Sequence, residues 1–178
     1  MNFVRITKDN ISELEEIKGL YFASFPEDER RPWESIVDMV NNGFPYFNMI
    51  IARDCETGKM LGFYTIWRFP QAFYVEHFAV SFECRNRGIG SSILRNIKEF
   101  SGNSPVVVEV ELPDKGPDAV KRIDFYKRNG FEALEEFPYY QPPYRPDLEE
   151  VPLMLMVSRP IEDLNTFVIM LHTLVYNQ

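Results

Sequence analysis

A turn rich in glycine and arginine, set between two apolar segments, constrains the fold of this chain more than any other feature. The turn, residues 85–90 (RNRGIG), follows a β-rich run at residues 72–80. After it, apolar residues recur at helical spacing from Ile89 to Phe100, and residues 106–112 (VVVEVEL) predict another strand. Because a helical crossover joins strands that run in the same direction, these two strands are predicted to be parallel.

The rest of the chain predicts antiparallel strands before and after this unit. Residues 46–54, 60–69 and 72–80 predict a meander, with a turn at Gly58. The other predicted elements are a strand at 2–6, helices ending near Ser24, at 33–41 and at 117–129, strands at 131–137 and 153–158, and a final helix. The predicted fold class is therefore α/β (α+β), with a mixed central sheet of about seven strands and flanking helices.

Composition narrows the function classes. The 178 residues carry a formal net charge of −8, which argues against nucleic acid and anionic membrane surfaces as partners. Cys55 and Cys84 stand far apart in the sequence, so neither a zinc site nor a disulfide framework is indicated. The first residues lack the pattern of a secretion signal, and no apolar run reaches the roughly 18 residues of a membrane span. A cytoplasmic protein of one domain, without a metal site, is expected.

The turn at residues 85–90 is suited to bind phosphate. The start of a helix carries backbone N–H groups without intrahelical partners and the positive end of the helix dipole. Glycine allows a ligand to approach the backbone, and Arg85 and Arg87 add positive charge. A P-loop would require Lys and then Ser or Thr after its last glycine, and a dinucleotide-binding fingerprint would require a third glycine where Ile93 stands. Both are disfavoured, which leaves an anion site or a solvated arginine pair.

The pattern Arg-x-x-Gly-x-Gly of this turn resembles that of the GNAT superfamily of acyl-CoA-dependent N-acyltransferases. The resemblance runs from about residue 2 to residue 158 and includes the segments EHFAV, SSILRNIKEF, VVVEVEL and DFYKRNGF. It implies a GNAT fold in which the parallel fourth and fifth strands splay around coenzyme A. It further implies a GNAT domain at residues 1–160 and a C-terminal helical extension at residues 161–178.

The resemblance implies acetyl-CoA as the cofactor. Backbone groups of the fourth strand would hold the pantetheine arm, and the amides of residues 87–91, with the Arg85 side chain, would hold the diphosphate. The implied cofactor-binding residues are Phe78, Ala79, Val80, Arg85, Asn86, Arg87, Gly88, Ile89, Gly90 and Ser91. One customary contact is missing, because Ala119 stands where many family members carry Asn. Lys121 or Arg122 could compensate.

Two catalytic residues are also implied. Tyr126, in FYKRNGF, matches the family tyrosine that protonates the departing thiolate, although a tyrosine that only packs on the sheet would leave the same pattern. The acceptor amine must lose a proton before attack, which costs a lysine-like amine about 4.6 kcal/mol at pH 7. Glu76 is the implied base, since several family members place a glutamate there and strand alternation puts it on one face with residues 78 and 80. Glu109, Glu111 and a water relay are open alternatives, and His77 is predicted to be packed.

The expected acceptor is a primary amine on a small molecule or a peptide. Two loops are expected to border it: an acid-rich loop that contains Glu27, Asp28 and Glu29, and the aromatic loop PYYQPPYRP, which begins at Pro138. A non-catalytic acyl-CoA sensor and a protein-interaction domain are the alternatives to an enzyme.

The final helix carries a continuous apolar seam. Its members recur at spacings of three and four residues: Ile161, Leu164, Val168, Leu171 and Val175. Such a seam must be covered, either by packing on its own domain or in a homodimer contact.

Overall fold

The structure is a computed structural model that describes residues 1–27 and 29–177. Its residues group into two units. The first unit comprises Met1–Arg68 and Val75–Ile97, and the second comprises Phe69–Tyr74 and Lys98–Gln178.

The first unit contains four neighbouring strands in the order β1-β2-β3-β4. They are β1 (Asn2–Ile6), β2 (Phe47–Arg53), β3 (Met60–Arg68) and β4 (Phe73–Val80), of which β4 belongs to this unit from Val75 onward. Ile50 of β2 lies opposite both Arg5 and Tyr64 in antiparallel pairs. The predicted N-terminal antiparallel meander is confirmed.

Helices cover this sheet with their apolar faces. The helices are α1 (Leu14–Ser24), α2 (Trp33–Asn41) and α3 (Ile89–Ser101). Ile17, Ile36 and Ile93, one from each helix, have no exposed surface. The helical spacing of these apolar residues therefore reflects burial of one face of each helix.

A 3-10 turn directly precedes the first helix. Residues 8–13 form a 3-10 turn, because Asn10 leaves the helical region (φ −128°, ψ 30°) and its side chain accepts a hydrogen bond from the Thr7 N–H at 2.7 Å. The Thr7 hydroxyl in turn accepts from the Asp9 N–H. Thr7 is therefore the N-cap of this 3-10 turn.

The second unit contains a mixed sheet. The N–H of Phe73, at the start of β4, donates to the Pro105 carbonyl at 2.8 Å, and β4 runs parallel to β5. β5 pairs antiparallel with β8, and both β6 and β7 also pair with β8. The elements of this unit are β5 (Val106–Glu111), α4 (Pro117–Arg128), β6 (Glu132–Ala133), β7 (Tyr139–Gln141), β8 (Val151–Val157) and α5 (Leu164–Tyr176). The predicted mixed α/β class with parallel fourth and fifth strands is confirmed.

The C-terminal strands differ from the prediction in number and bounds. Of residues 131–137 only two form a strand, because the Phe137 N–H donates to the Leu134 carbonyl at 3.1 Å in a turn. A further strand, β7, forms where a loop was predicted. Within the described residues the strands number eight rather than about seven.

The apolar seam of α5 is buried at Leu171 and Val175 and half-buried at Ile161, Leu164 and Val168. The Asp163 carboxylate caps the helix by accepting from the Thr166 N–H at 3.0 Å, so Ile161 precedes the helix. Phe167 has no exposed surface and lies edge-on to Phe69, with 5.4 Å between ring centroids. The boundary at residue 160 and a dimer contact stay predictions. Within residues 1–27 and 29–177, no helix is both long and apolar enough to cross a membrane.

Candidate active site

The predicted anion-binding turn is an exposed loop with two left-handed residues. Asn86 has φ 59° and Gly88 has φ 76°, and residues 85–88 are all exposed. α3 begins directly afterwards, and the Ser92 N–H donates to the Gly88 carbonyl at 3.1 Å. The three N–H groups that precede Ser92 in the helix therefore lie outside the intrahelical ladder, where they can bind an anion.

Arg85 is held at the end of β4. Its Nε donates to the Val80 carbonyl at 3.3 Å, and its guanidinium carbon lies 3.9 Å from the centroid of the Phe82 ring. These contacts restrict the side chain and so reduce the entropy that an anion would have to remove. Arg87 is exposed two residues later. The turn thus carries local positive charge in a chain whose net charge is −8.

The segment of β4 that is predicted to hold pantetheine lies very close to β3. A Cβ atom at Gly62 would lie 2.4 Å from the Ala79 carbonyl oxygen. Only glycine fits this approach, because a backbone atom cannot move aside as a flexible side chain can. Ala79 is buried, whereas Phe78 and Val80 are half-buried. This part of β4 can therefore lie so close to β3 only because Gly62 has no side chain.

Tyr126 lies on α4 with its ring in an aromatic cluster. The centroids of Phe125 and Phe131 are each 5.4 Å from that of Tyr126, and Tyr126 itself is buried. Burial raises the pKa of Tyr126 to about 12, with Arg122 acting in the opposite direction. The phenol therefore keeps its proton well above neutral pH and can act as a hydrogen-bond donor.

Both residues that could compensate for Ala119 are engaged in ion pairs. Lys121 Nζ lies 2.9 Å from the Asp118 carboxylate, and Arg122 pairs with Glu111. Side chains in both pairs are substantially exposed, and such pairs contribute little to stability. Either cation can therefore be drawn to a phosphate group at small cost.

Glu76 lies in a buried polar network of the first unit. Its side chain has no exposed surface, and its two oxygens accept hydrogen bonds from Arg31 Nε and Trp67 Nε1, each at 2.7 Å. The Nδ1 atom of His77 is 3.7 Å from Oε2. Burial opposes ionisation, but Arg31, then His77 and the Trp67 hydrogen bond, together hold the pKa of Glu76 below its usual range. The carboxylate is therefore ionised at neutral pH.

His77 is packed in the same network, as predicted. Its Nε2 lies 3.2 Å from the Tyr21 hydroxyl, and its Nδ1 lies 3.1 Å from Thr65 Oγ1. Burial lowers the pKa of His77 to about 4, Glu76 acts in the opposite direction, and Arg31 lowers it further. The imidazole is therefore neutral at pH 7.

These contacts make Glu76 a weak base. A carboxylate whose oxygens already accept N–H hydrogen bonds, and whose pKa is depressed, has little tendency to take a proton. The geometry favours a structural role, in which Glu76 holds Arg31 of the α1–α2 loop against β4. The assignment of Glu76 as the catalytic base stays a prediction.

Glu109, an alternative base, is surrounded by phenol groups in the second unit. The hydroxyls of Tyr74 and Tyr176 lie 2.7 and 2.8 Å from its Oε2, and the Tyr139 hydroxyl donates to its Oε1. The Tyr74 and Tyr176 hydroxyls also lie 2.9 Å apart. Glu111, the other alternative, is instead paired with Arg122.

A comparison with family models decides the family. A model described as the acetyltransferase (GNAT) domain matches residues 45–133, which is half of the chain. The matched stretch includes β4, the turn at residues 85–90 and Tyr126. The chain belongs to the GNAT family of acetyltransferases.

Related proteins agree with this GNAT assignment. A GNAT-family structure from Bacteroides thetaiotaomicron is 34% identical, with a TM-score of 0.90 and coverage of 100% of this chain and 99% of that chain. The protein YjbC of Bacillus subtilis (strain 168), whose name describes it as an acetyltransferase, is 31% identical over 72 residues. These residues make up 40% of this chain but only 36% of that protein. A crystal structure of an aminoglycoside 6'-N-acetyltransferase complexed with coenzyme A shares the fold at 15% identity, with a TM-score of 0.65 and coverage of 90% of this chain and 99% of that chain.

In this GNAT protein, two arginines hold the α1–α2 loop in place. Besides the Arg31 pair, Arg30 Nη1 donates to the Phe25 carbonyl at 3.3 Å, and its guanidinium carbon lies 4.6 Å from the centroid of the Phe22 ring. Asp28, which the sequence analysis placed in the acid-rich part of this loop, lies outside the described residues. The sequence identified this loop by its acids, and the structure shows that Arg30 and Arg31 also make contacts that position it.

The aromatic loop presents alternate side chains to different surroundings. Tyr139 and Gln141 are buried, whereas Tyr140 between them is exposed. Tyr139 and Tyr140 also line a largely apolar pocket of about 530 Å³ between α4, β7 and β8 of the second unit. Sequence reasoning missed this pocket, as it missed Tyr74 and Tyr176 beside Glu109, because nothing in the sequence pairs residues that are far apart in the chain.

Proposed function

We propose that this GNAT protein transfers an acetyl group from acetyl-CoA to a primary amine by direct nucleophilic attack. The observation that carries the proposal is the exposed turn before α3, where the left-handed Gly88 and the first amides of the helix lie beside two arginines. These groups fit a diphosphate, because N–H donors, a helix dipole and guanidinium groups all favour a multiply charged anion. When bound, acetyl-CoA supplies the activated acetyl group and a thiolate leaving group.

Tyr126 is the proposed proton donor to the leaving sulfur. With its pKa raised to about 12 by burial, the phenol is protonated throughout the neutral and mildly alkaline range. A thiol with a pKa near 8.5 is already a fair leaving group, so the phenol need donate only as negative charge develops. Tyr126 therefore supports catalysis without itself titrating in the working range.

The acceptor amine must become neutral before it attacks. Glu76, the predicted base, holds its charge through Arg31 and Trp67, which reduces its basicity. A water relay to bulk solvent meets the same need without a strongly basic side chain. The geometry therefore favours the water relay among the alternatives that the sequence left open.

Release of free thiol from acetyl-CoA, measured against a panel of primary amines, tests the proposed function. We expect at least one amine to accelerate thiol release, with a product heavier by one acetyl group in mass spectrometry. If the protein binds coenzyme A in calorimetry but acetylates none of the amines, the non-catalytic sensor is supported instead. If it does not bind coenzyme A, both hypotheses fail.

Replacement of Tyr126 separates chemistry from cofactor binding. Tyr126→Phe keeps the ring contacts with Phe125 and Phe131 but removes the hydroxyl. We expect kcat to fall by about 100-fold and the coenzyme A affinity to stay within about twofold of the wild-type value. Tyr46→Phe, at an exposed tyrosine of the first unit, is the control and leaves both unchanged. Full turnover by Tyr126→Phe would remove Tyr126 from the mechanism.

A further inference from the structure

The phenol groups around Glu109 come from three separate elements of the second unit. Tyr74 lies at the start of β4, Tyr139 on β7 and Tyr176 in the last turn of α5. All three are buried, while Glu109 itself is half-buried. The protein therefore provides hydroxyl donors to both oxygens of the carboxylate and leaves the residue partly exposed.

These phenol groups keep their protons and therefore act as hydrogen-bond donors. Burial, and then Glu109, raise the pKa of Tyr139 and of Tyr176 well above the usual value, so both hydroxyls keep their protons. Hydroxyl donors stabilise a carboxylate in its ionised form. Such a carboxylate is a poor proton acceptor, but it is well suited to bind a cation that remains charged.

Two further polar atoms near these phenols are buried without a hydrogen-bond partner in the described part of the chain: Nε2 of Gln141 and Nε2 of His172. Gln141 is almost fully buried and stands two residues after Tyr139 on β7, so both face the same side of the sheet. His172 lies one turn before Tyr176, with its ring centroid 5.6 Å from that of Tyr139. Because an unsatisfied buried polar atom costs about 1 to 3 kcal/mol, its retention points to a polar ligand.

We propose that Glu109 binds an ammonium group of the acceptor other than the amine that is acetylated, so that the acceptor class is a small diamine or polyamine. This inference rests on the proposed acetyl transfer. The attacking amine must be neutral, whereas an ionised carboxylate held by three hydroxyls favours a group that stays cationic. The His172 imidazole can accept a hydrogen bond from an ammonium N–H, and the Gln141 amide N–H can donate to the neutral amine of the acceptor. The net charge of −8 favours the approach of a cationic acceptor.

The proposed role of a second positive charge on the acceptor can be tested by comparing putrescine, which has two amines, with the amino alcohol of the same chain length. We expect the wild-type protein to show a KM for putrescine at least about tenfold lower than for the amino alcohol, because a charge-assisted hydrogen bond contributes that much affinity. Glu109→Gln should abolish this preference and leave the affinity for coenzyme A unchanged. The control Glu132→Gln, at an exposed strand carboxylate on β6, should retain the preference.

A milder variant keeps the test informative if Glu109→Gln does not fold. Tyr176→Phe keeps the ring but removes one hydroxyl donor, and we expect it to reduce the preference for putrescine by about threefold or more. Tyr46→Phe should not change it. A folded Glu109→Gln or Tyr176→Phe protein that keeps the full wild-type preference overturns the proposal.

Calorimetry of putrescine binding in the presence of coenzyme A separates this inference from the proposed function. Binding that depends on Glu109, without acetylation of any amine, would support the cation site and contradict the transferase. Acetylation of amines with no preference for putrescine, or no binding of putrescine to the wild-type protein, would contradict the cation site.

Discussion

At Gly88 the backbone has φ 76°, a region that a residue with a side chain enters at a cost of about 1 to 2 kcal/mol. Gly58, in the turn between β2 and β3, has φ 71°. At both positions an added Cβ atom would meet no atom within 4 Å. The two glycines are therefore matched in backbone strain and in space, and they differ in the proposed contact of Gly88 with the diphosphate.

We expect Gly88→Ala and Gly58→Ala to lower the free energy of unfolding by similar amounts, about 1 kcal/mol each. Only Gly88→Ala should weaken the binding of coenzyme A, by about tenfold or more, because its methyl group obstructs the approach of phosphate to the backbone. Chemical denaturation and calorimetry measure the two quantities. Equal affinity for coenzyme A in both variants would contradict the proposed position of the diphosphate.

Glu76 shows how much about a single residue can be predicted from the sequence. Strand alternation placed its side chain on a defined face of β4, and the structure agrees that β4 spans Phe73–Val80. The partners of the carboxylate, Arg31 and Trp67, are 45 and 9 residues away along the chain. A local pattern carries no information on such partners, and they decide whether the carboxylate can accept a proton.

At the scale of elements, the close contact between β3 and β4 depends on Gly62. A Cβ there would lie 2.4 Å from the Ala79 carbonyl oxygen and 3.0 Å from Ile93 Cδ1. We expect Gly62→Ala to lower the free energy of unfolding by about 1 to 3 kcal/mol, the usual cost of overpacking. The displaced β4 should also bind coenzyme A more weakly than the wild type, measured by calorimetry below the unfolding temperature.

Gly19→Ala is the matched control at the element scale. Gly19 lies within α1, and an added Cβ there would meet no atom within 4 Å. Since alanine favours a helix over glycine by up to about 1 kcal/mol, this variant should be as stable as the wild type or more stable. A Gly62→Ala protein with wild-type stability would show that the two strands can separate without cost.

Element types were more predictable than element bounds. The helices α2 and α3 begin where the sequence predicted, at Trp33 and Ile89, because proline or glycine marks the boundary. Strand β6 is shorter than predicted, because the Phe137 N–H and the Leu134 carbonyl form a turn directly after it, and β7 lies where a loop was predicted. Pairing with β8 determines which residues in this region adopt the extended conformation of a strand.

For the whole molecule, acid stability combines two opposing effects. Lowering the pH toward the pI of about 4.9 reduces the net negative charge and its self-repulsion, which favours the folded state. Against this, burial lowers the pKa of His77 to about 4, below the value of about 6.5 in an unfolded chain. The unfolded state therefore binds more protons in this window, so the contribution of His77 to stability is present above pH 6.5 and is lost as the pH falls toward 4.

We expect proton binding by His77 in the unfolded state to lower the free energy of unfolding by about 2 kcal/mol as the pH falls from 7 to 5. The comparison of wild type with His77→Gln isolates this effect, because both proteins experience the same change in net charge elsewhere, including the titration of His172. Urea denaturation at the two pH values gives the difference. The same pH dependence in both proteins would show that His77 is protonated in the folded state.

The sequence by itself determined the turn rich in glycine and arginine, the parallel crossover and the family resemblance, because glycines, arginines and apolar periodicity at residues 85–112 act over short stretches of chain. Only the tertiary structure decided the surroundings of the carboxylates. Glu76 became a buried ion pair, and Glu109 became a carboxylate held by three phenols. The physical reason is that burial and hydrogen-bond partners arise from contacts between residues distant in sequence, and these set the chemistry of an ionisable group.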